Sequence, residues 1–141
     1  SCIAAVCATQ ILAFLDSDDL WTPGKLESQV LLMERHPDLA LLFGDVRRFS
    51  REDGMRPSML QRRELDANFF GSSLYVQNAY LKLLRGNFIP TGTVMVRREA
   101  IERAGLFDES LRYVEDLDLW LQVSLMGKIG YSTDVNACAY P

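Results

Sequence analysis

Ile11-Leu12-Ala13-Phe14-Leu15-Asp16-Ser17-Asp18-Asp19-Leu20-Trp21 decides how the chain is read. An unbroken apolar run leads straight into a cluster of carboxylates. Such a run, bounded by polar residues, predicts a buried strand. Uncompensated buried charge is very costly, so the strand ends at about Asp16 and the acids sit at its carboxyl-end lip. In open α/β sheets that lip is where ligands bind. Clustered carboxylates there suit a hard cation, and the cation suits a phosphate.

The neighbouring segments supply the rest of an α/β unit. In Thr22-Pro23-Gly24-Lys25-Leu26-Glu27, threonine is a good N-cap and proline is favoured at the first helical position. Leu26, Val30 and Met33 recur at helical spacing, with Leu32 alongside. The helix is predicted to stop near His36, ahead of Pro37. Leu39 to Phe43 is a second buried strand, continuing through Gly44-Asp45-Val46. Strand, acidic loop, helix and strand make a βαβ unit. Upstream, the small apolar residues from Ser1 to Gln10 predict a short helix feeding the first strand.

Arg47 to Asp66 is polar and reads as a hairpin or mobile loop; its arginines could meet phosphate, with a solvated loop the favoured reading. Residues 72–85 are predicted helical, with Leu74, Tyr75, Asn78, Leu81 and Leu84 near one face and Gly86-Asn87 at the end. Phe88 to Val96 is a loop running into a strand. Arg98 to Arg103 is a short helix stopped by Gly105, and Phe107-Asp108-Glu109-Ser110 is a turn. Val114 to Met126 is the last helix, with Glu115 and Asp116 at its start, where the macrodipole favours acids. Its stripe of Leu117, Trp120, Leu121 and Leu125 is expected in the core. Tyr131 onward is a final strand or tail.

The chain has 141 residues, 48% hydrophobic and 24% charged, which suits a single soluble domain with a real core. A net charge of -4 without a basic block argues against nucleic-acid binding. Cys2, Cys7 and Cys138 form no zinc spacing and no disulfide framework, which points to a reducing, cytoplasmic compartment. One histidine, His36, excludes a mechanism needing two and any His-rich metal site; its place before Pro37 predicts a surface position. No apolar run approaches the roughly 20 residues of a membrane span. Cys2 to Leu15 lacks the preceding basic residues of a signal peptide. A start at Ser1 rather than Met is expected of a fragment or a processed chain.

Two acidic sites stand out. Asp16-Ser17-Asp18 is a DxD arrangement, whose carboxylates can converge on one divalent ion while phosphates and water complete an octahedral shell. An EF-hand counted from Asp16 would need glycine where Trp21 stands, and is rejected. A haloacid-dehalogenase-type phosphotransferase also carries a DxD after an apolar strand, but wants threonine or valine at the position of Leu20. A solvated loop without metal is the plain alternative. Glu115-Asp116 is the second site. On spacing alone it reads as helix capping, worth about 0.5–2 kcal/mol.

Three stretches together resemble family 2 glycosyltransferases. Phe14-Leu15-Asp16-Ser17-Asp18-Asp19-Leu20-Trp21-Thr22-Pro23-Gly24-Lys25-Leu26-Glu27 resembles the family's DxD segment. Gly92-Thr93-Val94-Met95-Val96-Arg97-Arg98-Glu99-Ala100 resembles its downstream strand and helix. Gly105-Leu106-Phe107-Asp108-Glu109-Ser110-Leu111 and Glu115-Asp116-Leu117-Asp118-Leu119-Trp120-Leu121 resemble its acceptor-side region. Order and separation agree, over about residues 11 to 132.

The resemblance implies a partial GT-A (Rossmann-like) α/β fold, a mostly parallel sheet flanked by helices, as one truncated domain over 1–141. It implies sugar transfer from a nucleotide-diphosphate sugar, with a UDP-sugar expected, to a sugar or glycolipid acceptor with inversion, in polysaccharide or glycoconjugate synthesis. Asp18 would be the closest ligand to Mg²⁺ or Mn²⁺, with Asp16 assisting around the donor, Glu115 beside the substrate and Asp116 as general base. Trp21 and Trp120 are candidates for sugar stacking, with a core role favoured for both. The cytoplasm or the cytoplasmic face of the membrane is the expected location. The family's usual N-terminal nucleotide-binding part has no counterpart in Ser1 to Gln10. That absence predicts an exposed sheet edge on the DxD strand, open to a second copy of the chain. It also keeps a non-catalytic remnant of the domain as the alternative to an enzyme.

Overall fold

Period-two alternation in the central strands, shifted in β4 by an irregularity between Leu39 and Leu41, sorts their side chains to two faces, and a separate core lies on each. The computed structural model describes the backbone of residues 3–8, 10–16, 19–105 and 115–139, and the side chains of 10–15, 19–105, 116–134, 137 and 138. The chain opens with β1 (Ile3–Ala8), β2 (Ile11–Asp16) and β3 (Asp19–Trp21), then α1 (Lys25–Arg35) and the long β4 (Leu39–Ser50). A two-residue β5 (Gly54–Met55) and three helices follow: α2 (Met59–Arg62), α3 (Ala67–Phe70) and α4 (Ala79–Arg85). A 3-10 turn (Thr91–Thr93) leads into β6 (Met95–Arg97), α5 (Arg98–Ala104), α6 (Glu115–Met126) and β7 (Lys128–Ala139).

The sheet order is β1-β2-β6-β4-β7-β3, with β5 paired to β4. Leu39, Leu42, Ala13 and Met95 face Met33 of α1. Leu41, Phe43, Val94 and Val96 face the other way, against Leu119, Trp120 and Val123 of α6 and Ile101 of α5. Leu39 to Phe43 are all almost fully buried, as a strand covered on both faces requires.

The α/β architecture agrees with the sequence, but the strand directions correct the expectation of a mostly parallel sheet. Among the described pairings only β4 with β7 is parallel; β1–β2, β2–β6, β6–β4 and β3–β7 are antiparallel. The predicted βαβ unit is present, since β2 and β4 run the same way, yet β6 enters between them in the opposite sense. The length of the β2–α1–β4 crossover leaves room for that insertion, which sequence order alone does not reveal.

The expected open edge on β2 is also corrected. Residues 3–8 form a strand rather than a helix, and β1 pairs with β2 along its whole length, from Ile3 opposite Asp16 to Ala8 opposite Ile11. Its small and β-branched residues suit a hairpin as well as a helix. An edge contact between two copies therefore loses its premise at β2.

Local differences have local causes. α1 starts at Lys25 with Gly24 as N-cap at φ 81°, because Thr22-Pro23-Gly24 closes a turn through Lys25 N–H to Thr22 C=O at 3.3 Å. The predicted helix at 72–85 shrinks to α4. Its first residues instead bond along β7, with Val76 N–H to Ile129 C=O and Tyr131 N–H to Leu74 C=O, both 2.9 Å. His36 is half-buried, its ring edge-on to Tyr75 at 5.9 Å. The turn at Phe107 to Ser110 lies outside the described residues.

Candidate functional site

β2, β4 and β7 point their carboxyl ends to one side of the sheet, and α6 begins on that side. The acidic lip and the Glu115-Asp116 site therefore share one edge. The backbone of Asp16 ends β2 there; its side chain, that of Glu115, and all of Asp18 lie outside the described residues.

The turn Thr91–Thr93 stands between the two sites. Asp19 Oδ2 lies 3.4 Å from where a Cβ on Gly92 would be, so Asp19 packs against this turn. Trp21 Nε1 donates to Gly92 C=O at 2.8 Å. On the other side, Thr91 Oγ1 donates to Asp116 Oδ2 at 3.4 Å, and Asn87 Nδ2 donates to the same oxygen at 3.1 Å. Leu117 N–H donates to Asp116 Oδ1 at 2.8 Å. Asp116 is half-buried and its carboxylate is oriented by fixed donors. Sequence reasoning missed Asn87, Thr91 and Gly92. In the sequence Asn87 reads only as a helix end, Thr91 as part of a loop entering a strand, and Gly92 as the start of one family-like stretch.

The turn is supported from below by buried polar groups. Gln29 Nε2 donates to Thr93 C=O at 2.8 Å, and Lys25 Nζ donates to Gln29 Oε1 at 2.6 Å. Lys25 also lies over the Trp21 ring at 4.6 Å. Thr93 Oγ1 donates to Pro90 C=O at 2.8 Å and accepts from Gly44 N–H at 3.1 Å. Lys25 is only 2% exposed, and burial lowers its pKa from the ordinary 10.5 to about 8, because a desolvated ammonium is disfavoured. Of the two tryptophans, Trp120 is fully buried in the core. Trp21 is half-buried at the turn.

A second feature opens on the same side. Beyond the shifts of register around Asp45 in the β4–β7 ladder, a cleft of about 980 Å³ lies between β4, β7 and the α2–α3 segment. Asp45 and Arg47 of β4, Tyr131 and Thr133 of β7, and Gln61 and Glu64 help to line it. Asp45 Oδ1 accepts from Val46 N–H at 2.9 Å and Leu60 N–H at 3.0 Å, which ties α2 to β4. The expected hairpin at 47–66 is present as β4–β5, but α2, with a complete capping box from Ser58 and Gln61, makes the rest ordered structure.

Comparison with known proteins agrees with this architecture. Residues 1–105 match the model of glycosyl transferase family 2. The chain is 27% identical over 121 residues to amylovoran biosynthesis glycosyltransferase AmsE of Erwinia amylovora, covering 86% of this chain and 41% of that protein. It is 32% identical over 119 residues to an uncharacterised protein of Mycobacterium tuberculosis, covering 81% of this chain and 29% of that one. An uncharacterised glycosyltransferase of Rickettsia typhi is 24% identical over 132 residues, covering 89% and 38%. The chain belongs to glycosyl transferase family 2, and its mixed α/β sheet is consistent with a partial GT-A fold. It spans less than half the length of these relatives. Among the described residues no helix is long and apolar enough to cross a membrane.

Proposed function

We propose that the protein transfers a sugar from a nucleotide-diphosphate donor, a UDP-sugar being the expected class, to a hydroxyl of a sugar or glycolipid acceptor, with inversion. The observation that carries this reading is the turn Thr91–Thr93, which meets Asp19 of the acid lip on one side and Asp116 on the other. Departure of a diphosphate needs a cation, which carboxylates can hold, and proton removal needs a free carboxylate nearby; Asp19 and Asp116 on either side of one turn support that division of labour.

Asp116 takes the proton of the acceptor hydroxyl as its oxygen attacks the anomeric carbon. The bond to the diphosphate breaks as the new glycosidic bond forms, which gives inversion. Asn87 and Thr91 hold Asp116 Oδ2 in place for that role. The donor set Asp16 and Asp18 is hard oxygen chemistry at a sheet edge and fits Mg²⁺ or Mn²⁺. When bound, such a cation supplies charge neutralisation for the departing diphosphate. Glu115 lies one residue from the base and is assigned to the substrate. The likeness to an amylovoran biosynthesis enzyme supports a role in polysaccharide or glycoconjugate synthesis. The free thiol of Cys138 suits a cytoplasmic setting, in solution or at the membrane's cytoplasmic face.

Calorimetry with UDP and Mn²⁺ tests the donor half. Asp18→Ala is expected to weaken Mn²⁺-dependent UDP binding by at least about tenfold, the loss of one charged ligand contact. Unchanged binding would remove Asp18 from the metal site, and no metal-dependent heat with the unaltered protein would contradict the donor reading.

A further inference from the structure

We propose that the cleft between β4, β7 and the α2–α3 segment is the acceptor site and takes an uncharged oligosaccharide, gripped by Arg47 and Glu64. The inference rests on the transferase reading above and adds the place and chemical class of the acceptor. At about 980 Å³ the cleft lies near the top of the range of about 300–1,000 Å³ for small-molecule sites, with room for more than one sugar ring.

Two residues in its wall are out of keeping with a purely structural role. Arg47 Nε is shut off from solvent and, among the described residues, has no hydrogen-bond partner. Native structures rarely leave such a donor unmet; Nε itself is closed to a ligand, so contact with one falls to the rest of the side chain, which lines the cleft. Glu64 sits at φ 54°, in the left-handed region. It occupies the position after the cap of α2 in a Schellman turn, closed by Leu65 N–H to Leu60 C=O at 2.9 Å and Glu64 N–H to Gln61 C=O at 3.3 Å. Glycine is the favoured residue there. A carboxylate held in a strained backbone conformation and facing a cleft is the pattern of a functional constraint. Arg47 and Glu64 line the same cleft with opposite charge, yet neither makes a salt bridge among the described residues.

The chemistry of the wall selects the ligand. Thr133 and the amide nitrogen of Gln61 are further polar groups in the lining, which suits a polyol. Carboxylates from Asp45, Glu64 and Asp66 outnumber the one guanidinium, so an acidic saccharide is repelled. The cleft is also tied to the proposed base. Arg63, next to Glu64, donates through Nη1 to Asn87 C=O at 2.8 Å, and Asn87 holds Asp116.

The test is an NMR titration of the 141-residue chain with neutral trisaccharides of glucose, galactose, mannose or N-acetylglucosamine, and with trigalacturonate. At least one neutral trisaccharide is expected to move the amides of 45–47, 60–66 and 131–133, and trigalacturonate is not. Arg47→Met should weaken that binding about tenfold, as loss of a charged hydrogen bond does. Glu64→Gly should weaken it similarly while raising Tm by about 2–4 °C through relief of strain, so a folding failure of the arginine variant does not blunt the test. No response to any neutral trisaccharide, a preference for trigalacturonate, or full affinity in Glu64→Gly would overturn the proposal. UDP with Mn²⁺ is titrated into the same samples. A response at 91–93 and 116–118 without a saccharide response sinks the cleft alone, whereas saccharide binding without a nucleotide response sinks the transferase reading.

Discussion

α1 and α6 cover opposite faces of one sheet, and they turn different chemistry inward. α6 buries Leu119, Trp120 and Val123, an apolar wedge whose Trp120 ring meets Phe14 edge-on at 6.2 Å. α1 buries Lys25 and Gln29 together with Met33, and leaves Leu26 and Leu31 exposed. The difference follows from what each helix supports. α6 closes the larger core. α1 lies under the turn at Thr91–Thr93, whose carbonyls need donors that an apolar face cannot supply. A helix that turns an amide and an ammonium inward beside Met33 is a helix committed to a site.

The contrast is broken most severely on α6. Trp120→Ala should destabilise the fold by about 3–5 kcal/mol through cavity formation, measured by urea unfolding. A loss near 1 kcal/mol would mean that α6 does not anchor the core. On α1 the expected cost is polar in origin. Gln29→Ala leaves Lys25 Nζ and Thr93 C=O without their partner, for about 1–3 kcal/mol. Gln29→Ala should also reduce sugar transfer, because the turn holding Thr91 and Gly92 loosens; a variant with wild-type stability and turnover would show that the network is incidental.

The pH dependence of Lys25 sharpens the same point. Its folded pKa, about 8, lies below its ordinary 10.5. Between those values the unfolded chain binds more protons, so the cost of burying the ammonium is present below about pH 8 and is relieved as pH rises toward 10.5. Compared with Lys25→Met, the wild-type protein should gain stability from pH 7 to pH 10, on the order of 1–2 kcal/mol. A stability gap that stays flat with pH would show that the ammonium is solvated or fully paired. The smallest effect belongs to the outer side of α6. Leu125 is 62% exposed, and Leu125→Ser should stay within about 0.5 kcal/mol of wild type; a larger loss would restore it to the core stripe.

The same helices show how far the sequence could be read. Both were legible as helices, because periodicity and the stops at Pro37 and Gly127 are local signals. Their inward faces were not. On α1 the apolar positions suggested Leu26, Val30 and Met33; Met33 is buried and Val30 packs partly against its core, but Leu26 faces out, and Gln29 turns to a polar turn that arrives more than sixty residues later. On α6 the stripe was right at Trp120 and wrong at Leu125, since helix rotation is set by packing against β4 and α5. β4 was readable as a buried strand from Leu39 to Phe43. The antiparallel entry of β6 beside it was not, because strand direction depends on non-local pairing. At the site, Asp116 and the acid lip were visible as residue types. The turn Thr91–Thr93 that touches both Asp19 and Asp116 was hidden in a stretch whose importance is geometric.

The central claim is that Asp116, held by Asn87 and Thr91, removes the proton from the acceptor hydroxyl. The direct measurement is single-turnover sugar transfer by Asp116→Asn, alongside calorimetry with UDP and Mn²⁺. Loss of transfer by about 10²–10⁴-fold, the usual contribution of a general base, with nucleotide affinity unchanged, is the result expected. Transfer at the wild-type rate, or a loss fully explained by weaker nucleotide binding, would contradict it.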